Sequence, residues 1–243
     1  MFLVRITVLV LWAQALLILK LKIKSKYFTE LNMEIISHRG FWLETSEKNK
    51  RTAFQRSFEL GLGTETDIRD LDGQLVISHD MPKSCDNLLK LDDFFEIYLT
   101  NKCKGTLALN IKSDGLQADI KASIEKYSIE NYVLFDMSIP DALVTCSEGL
   151  KYLSRVSNYE SDPIFLENSS GIWMDDFVGG WISSPVLETY LQAAGRVFVV
   201  SSELHGRDPK LLWNVLKSFR AREVILCTDR PVMAAKYIGG NFD

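Results

Sequence analysis

From residue 34 onward, short apolar runs alternate with longer stretches in which apolar positions recur every three or four residues. The runs lie at 34–37, 64–68, 106–111, 132–135, 152–154, 171–174, 196–200 and 223–227, and most are apolar throughout rather than alternating. Strands covered on both faces have that pattern. The stretches between them predict helices over 52–60, 88–99, 116–127, 185–194, 210–219 and 230–238. Leu116, Ile120 and Ile124 share one helical face, and Asp208-Pro209 reads as an N-cap followed by a first helical residue. Gly61 and Gly63 suit the end of the first helix.

A further run, 74–78, follows Asp72-Gly73, a strong signal for a two-residue hairpin. It is expected to fold back antiparallel on 64–68 and to stand outside the main count. Eight strands then alternate with helices. The expected class is α/β, a TIM (β/α)8 barrel with a small β-hairpin after the second strand and right-handed crossovers between parallel strands. No repeat or linker divides residues 33–243, which read as one barrel domain.

Residues 1–32 form an apolar N-terminal extension. Residues 2–21 are interrupted only by Arg5, Thr7, Gln14 and Lys20, and Lys22, Lys24 and Lys26 follow. One reading is a membrane anchor with its basic flank in the cytoplasm. The run is short for a full span of about 20 apolar residues. The other reading takes Met33 as the true start. Localisation is cytoplasmic on the second reading and membrane-anchored on the first.

Composition narrows the function without naming it. The 243 residues are 47% hydrophobic and 25% charged, the balance of an ordinary folded domain. A net charge of −4 argues against a general nucleic-acid binder. Cys85, Cys103, Cys146 and Cys227 are scattered, with no C-x-x-C pair, and read as free thiols of a reducing compartment rather than as zinc ligands or disulfides.

In such a barrel, chemistry gathers at the C-terminal ends of the strands. Those ends carry His38-Arg39-Gly40, then Glu65 and Asp67, then Asn110 and Lys112. Asp136, Arg155, Asp175, Glu203 and Asp229 follow, and His79-Asp80 ends the hairpin. The chain has only three histidines, and His38 and His79 both directly follow short strands. One imidazole of such a pair can take a proton from an attacking hydroxyl while the other protonates the leaving oxygen. Glu65 and Asp67, two apart on a strand, share a face, and paired carboxylates suit Mg²⁺ or Ca²⁺.

Ser37-His38-Arg39-Gly40, Ala53-Phe54, Gly63-Thr-Glu65-Thr-Asp67-Ile, Asp72-Gly73 and His79-Asp80 resemble, in order and approximate spacing, the signature of glycerophosphodiester phosphodiesterases. Cys227-Thr-Asp229-Arg-Pro231 resembles that family's Thr-Asp-x-Pro ending, so the likeness covers nearly all of residues 33–232. The resemblance implies a TIM barrel of the phospholipase C-like superfamily, active in lipid metabolism, that hydrolyses a small-molecule phosphodiester with a divalent cation. It implies His38 and His79 as general base and acid, Arg39 as a phosphate contact, and Glu65 and Asp67 as metal ligands. A neighbouring substrate hydroxyl would attack phosphorus first, giving a cyclic phosphate that water then opens.

Three departures qualify this. Asn110 stands where the family carries a further metal-binding glutamate, so weaker or dispensable Mg²⁺ or Ca²⁺ is expected unless Asp136 or Glu203 compensates, while Lys112 is retained as a phosphate contact. Glu47-Lys48-Asn49-Lys50 replaces Pro-Glu-Asn-Thr, which brings cationic side chains towards the site. Arg155, Asp175, Glu203 and Arg207 belong to a divergent second half, with Arg155 and Glu203 read as substrate contacts and a sugar- or polyol-phosphate as the suited substrate. His205 is open between substrate contact and structural residue. The rival reading is a non-catalytic phosphate-ligand binding barrel with a degraded metal site.

Overall fold

Backbone pairing follows the apolar runs closely. A computed structural model describes residues 33–84, 86–219 and 223–239. Its strands are β1 (Glu34–His38), β2 (Gly63–Leu71), β3 (Gln74–Ile77), β4 (Leu107–Ile111), β5 (Tyr132–Phe135), β6 (Ser154–Ser157), β7 (Ile172–Asp175), β8 (Val197–Val200) and β9 (Val224–Thr228). Its helices are α1 (Arg51–Glu59), α2 (Leu91–Thr100), α3 (Gln117–Tyr127), α4 (Ile139–Ser147), α5 (Ser184–Ala194), α6 (Lys210–Leu216) and α7 (Pro231–Gly239). The extension at 1–32, with both readings of it, and Cys85 lie outside the described residues. Cys103, Cys146 and Cys227 are free thiols.

Eight strands pair in parallel in the order β5-β4-β2-β1-β9-β8-β7-β6. The ring is drawn together where β5 meets the segment before β6. There the Leu134 N–H donates to the Lys151 carbonyl at 2.9 Å, and the Leu153 N–H donates to the Leu134 carbonyl at 2.9 Å. The architecture is the expected TIM (β/α)8 barrel.

Strand alternation sorts the side chains into layers. Ile36, Ala108, Val133, Phe135, Trp173, Phe198, Ile225 and Cys227 fill the barrel interior. Residues one step along, such as Ile35, Val156, Met174 and Leu226, point outward against α5, α6 and α7. Leu107, Leu109 and Leu134 pack with the Phe54, Phe58, Phe94 and Phe95 rings of α1 and α2 in a second outer cluster. Phe54 and Phe94 meet edge to face at 4.7 Å, a favoured aromatic geometry.

β2 runs past the barrel rim, and β3 pairs antiparallel with that overhang from Ile68↔Ile77 to Leu71↔Gln74. The turn residues Asp72 (φ 51°) and Gly73 (φ 74°) are both left-handed, as a tight hairpin turn between twisted strands requires. The hairpin therefore pairs with 68–71, the overhang, rather than with 64–68.

Three other expectations are corrected. β6 lies at Ser154–Ser157, and Tyr152 forms only an isolated bridge to Leu134, because its side chain turns into the outer cluster and its hydroxyl donates to the Phe165 carbonyl at 2.7 Å. Helix α4 was not foreseen; Ser138 caps it by accepting from the Asp141 N–H, and Pro140 sits in its first turn. Between β6 and β7 the described chain has only the 3-10 turn Leu166–Asn168.

Gly61 (φ +74°) follows α1 as foreseen, but Gly63 begins β2. A Cβ on Gly63 would stand 2.3 Å from the Thr106 carbonyl oxygen, whereas one on Gly61 would meet nothing within 4 Å. Gly63→Ala is therefore expected to destabilise the fold by about 3 kcal/mol, in the range of overpacked cores. Gly61→Ala should cost only about 1 kcal/mol of backbone strain. Paired denaturation curves check the ranking.

Candidate active site

The same alternation that buries Ile36, Ala108, Phe135 and Cys227 carries polar side chains upward on the interior face. His38 lies two residues beyond Ile36, Asn110 two beyond Ala108, and Asp229 two beyond Cys227. β1, β2 and β4 lie side by side, and the registers His38↔Glu65 and Asp67↔Asn110 place their end residues together. The result is a cavity of about 290 Å³ lined by His38, Arg39, Glu65, His79, Asn110 and Lys112 on one side. Asp136, Arg155, Asp175 and His205, with Phe135, Trp173, Phe177, Val200 and Leu204, line the other.

His38 Nδ1 lies 2.6 Å from Asp229 Oδ1, and its Nε2 lies 3.8 Å from Glu65 Oε2. Asp229 also accepts from Trp42 Nε1 at 3.3 Å and from Lys48 Nζ at 3.4 Å. Burial alone would raise the Asp229 pKa, but the His38 hydrogen bond and the Lys48 charge hold it below the usual carboxylate value. An ionised Asp229 holds the proton of His38 on Nδ1 and leaves Nε2 to act on a ligand. Lys48, the departure from the family pattern, does stand at the margin of the site, 4.5 Å above the Trp42 ring.

His79 is reached from the hairpin rather than from the barrel. Its side chain is 47% exposed, and Nδ1 pairs with Asp80 Oδ1 at 2.7 Å. The Arg69 Nε–H donates to the His79 carbonyl at 3.0 Å and ties that loop to the β2 overhang.

Glu65 and Asp67 are buried on one face of β2. Burial, with the neighbouring charge of Asp67, pushes the Glu65 pKa up to about 7. Asp67 is surrounded by donors. Asn49 Nδ2 donates to Oδ2 at 2.8 Å, Arg39 Nε stands 3.0 Å from Oδ2 as an ion pair, and Lys112 Nζ stands 3.7 Å from Oδ1. Asn49, the one position retained from the family's loop motif, is itself fixed by Thr66 Oγ1 at 2.9 Å.

Among the described residues, no group of three or more His, Cys, Asp or Glu side chains is placed to hold a metal ion. The acidic pair here has an amide as its third member. Even so, Asp67 Oδ1 and Asn110 Oδ1 are both buried without a hydrogen-bond partner. Two orphaned oxygens from register partners, beside Glu65, fit a hard divalent cation.

The other wall holds interlocked pairs. Arg155 donates from Nε to Glu160 at 2.6 Å and from Nη1 to Asp136 at 2.7 Å, and Asp136 also accepts from Lys112 at 3.3 Å. His205 Nε2 lies 2.6 Å from Asp175 Oδ1. Burial raises the Asp175 pKa even though His205 works against the shift. All three histidines of the chain line this one cavity.

Glu203 does not line it. Its carboxylate accepts from Ser201 Oγ, from Thr228 Oγ1 and from the Asp229 N–H at 3.1 Å, so it braces the end of β9 beneath Asp229. Asp136 is likewise committed to its cations. The sequence assigns no catalytic, metal or substrate role to Asp229, Asn49 or Asp175 and leaves His205 open. Spacing carried a signal for two of them, since Asp175 and Asp229 fall two residues beyond interior Trp173 and Cys227.

Solved structures of glycerophosphodiester phosphodiesterases share the fold. One from Parabacteroides distasonis superposes with a TM-score of 0.63 at 18% identity, over 86% of this chain and 98% of that one. One from Agrobacterium tumefaciens gives 0.59 at 15%, over 84% and 99%. A phosphodiesterase from Oleispira antarctica, in complex with its product sn-glycerol-3-phosphate, gives 0.61 at 14%, over 87% and 98%. No protein-family model matches the chain, and no curated protein does.

Proposed function

We propose that the protein is a phosphodiesterase that hydrolyses a small glycerophosphodiester-like or sugar- or polyol-linked diester. The observation that carries this reading is the convergence of a carboxylate-held imidazole, a second imidazole and two cations on one cavity at the C-terminal rim of the barrel. His38 is the general base: Asp229 holds its Nδ1 proton, and Nε2 takes the proton of the attacking hydroxyl. His79 gives a proton to the departing oxygen. Arg39 and Lys112 face the phosphoryl oxygens and stabilise their growing charge.

Glu65, Asp67 and Asn110 would hold a divalent cation, Mg²⁺ or Ca²⁺. Such an ion supplies Lewis-acid polarisation of the phosphoryl group. With only two carboxylates the ion is weakly held. Chelator is expected to lower turnover at least tenfold, and millimolar Mg²⁺ or Ca²⁺ to restore it. Full activity in chelator would assign the phosphate charge to Arg39 and Lys112 alone.

The second wall supports a neutral, hydroxyl-rich substituent. Arg155, Asp136 and Asp175 are already paired, so no spare charge on that wall faces a second ion. Trp173 is stacked on Phe135 at 3.8 Å, so that face of its ring is closed to a quaternary ammonium. Pre-oriented donor–acceptor pairs suit sugar and polyol hydroxyls. The deciding assay is a panel of choline, ethanolamine, glycerol, inositol and sugar diesters with product analysis. Cleavage confined to choline or ethanolamine diesters sinks the polyol assignment, and no turnover of any diester sinks the phosphodiesterase itself.

A further inference from the structure

The second wall of the cavity holds a carboxylate-held imidazole that the phosphoryl chemistry does not use. Asp175 ends β7, His205 ends the 3-10 turn Ser202–His205, and both line the cavity. His205 Nε2 lies 2.6 Å from Asp175 Oδ1. An ionised Asp175 takes the Nε2 proton, which leaves Nδ1 as an acceptor. Beside this pair stands Phe177, edge-on to the His205 ring at 5.3 Å. Phe177 also lines the cavity and is 47% exposed, yet its loop is pinned. Arg207 donates to the carbonyls of Asp176 and Phe177, to the second at 2.9 Å. Asp176 is buried, and its carboxylate accepts from the Gly179 N–H at 2.7 Å and the Trp181 N–H at 3.0 Å. A Cβ on Gly179 would stand 3.1 Å from Arg207 Nε, so the loop lies tight against the guanidinium. Single exposed rings are ordinary, but one held at a cavity by the hydrogen bonds of its loop, next to convergent polar groups, is a ligand platform.

We propose that Asp175, His205 and Phe177 form the seat for a pyranose ring bonded to the phosphate of the substrate. This rests on the phosphodiesterase reading and narrows its sugar- or polyol-linked substituent to a ring. Hydroxyls on neighbouring carbons donate to His205 Nδ1 and to a remaining lone pair of the Asp175 carboxylate. A pyranose with equatorial hydroxyls has a ring face made of C–H bonds. Their partly positive hydrogens meet the negative face of the Phe177 ring. A glycerol chain has the hydroxyls but not that face. A quaternary ammonium has no hydrogen to give to the acceptor pair.

Two measurements on the full chain test this. The first compares kcat/KM on glucose joined through its anomeric oxygen to glycerol 3-phosphate with kcat/KM on glycerophosphoglycerol. Phe177→Ala and His205→Ala should each lower the ratio of sugar diester to glycerol diester about tenfold, through KM of the sugar diester, and Phe177→Tyr should restore it. A ratio unchanged by both alanine variants overturns the seat and leaves the phosphodiesterase standing. The second needs no turnover. In isothermal titration the parent should bind glucose 1-phosphate about tenfold more tightly than glycerol 3-phosphate, and Phe177→Ala should bind the two alike. Equal affinities in the parent, or binding of neither, overturn the proposal even if the protein hydrolyses nothing.

Discussion

His38→Ala lowers kcat by a factor of about 10³ while leaving KM within a fewfold, the size of effect expected when a positioned general base is removed. Asp229→Asn gives a loss of similar order without touching the imidazole. The 2.6 Å contact to Asp229 sets which ring nitrogen carries the proton, and an amide at that place favours the wrong tautomer. His79→Ala behaves differently with the leaving group. A diester that expels a poorly acidic alcohol suffers strongly, and one that expels p-nitrophenolate barely responds, because only the first needs a proton. Steady-state kinetics of the three variants on both substrates check the assignment. Equal sensitivity of His38→Ala and His79→Ala to the leaving group would undo the division into base and acid.

Metal-free Glu65→Gln protein is more stable than the parent at pH 8, by about 3 kcal/mol, and nearly equal to it at pH 4. The sign follows from the Glu65 pKa, raised by burial and by Asp67 from 4.5 to about 7. Between those values the unfolded chain releases a proton that the folded chain keeps. Parent stability therefore falls as pH rises through that window, and the whole cost is present above it. The amide never ionises and escapes the cost, so its Tm should exceed the parent's by about 5–10 °C in chelator at pH 8. A saturating divalent cation reverses the order, because it stabilises only the chain that binds it. Calorimetry at both pH values, with and without Mg²⁺, decides the matter. A variant less stable than the parent in chelator at pH 8 would mean that Glu65 is not strained by its burial.

Much of this arrangement could be read along the chain, for a definable reason. Fully buried parallel strands are apolar on both faces, so the first polar residue at an interior-facing position stands at the mouth. His38, Asn110 and Asp175 all obey that rule. β6 escaped it because Arg155 and Ser157 interrupt the apolar run that would have announced the strand. Glu203 falls outside that spacing, three residues beyond interior Val200. It lies in the 3-10 turn Ser202–His205, whose curl carries its carboxylate beneath Asp229. Ion-pair partners such as Glu160 for Arg155 follow only from the three-dimensional course of the loop. α4 was hidden because its exposed Ile139, Leu143 and Val144 blur the amphipathic period that marks a surface helix.

The hairpin of β2 and β3 gives the site one stiff member and one sprung member. His38 rides on a strand bonded on both sides, to β2 and to β9. His79 rides on a cantilever whose fixed end is β2 and whose bend is the two-residue turn at Asp72 and Gly73. Strand residues face alternate sides, so losing one residue at that bend swings His79 to the far side of the lever. An insertion of two would restore its facing but shift its reach by about 7 Å. The length of a surface turn six residues before the imidazole thus acts as a gauge block, setting where the His79 ring stands over the cavity.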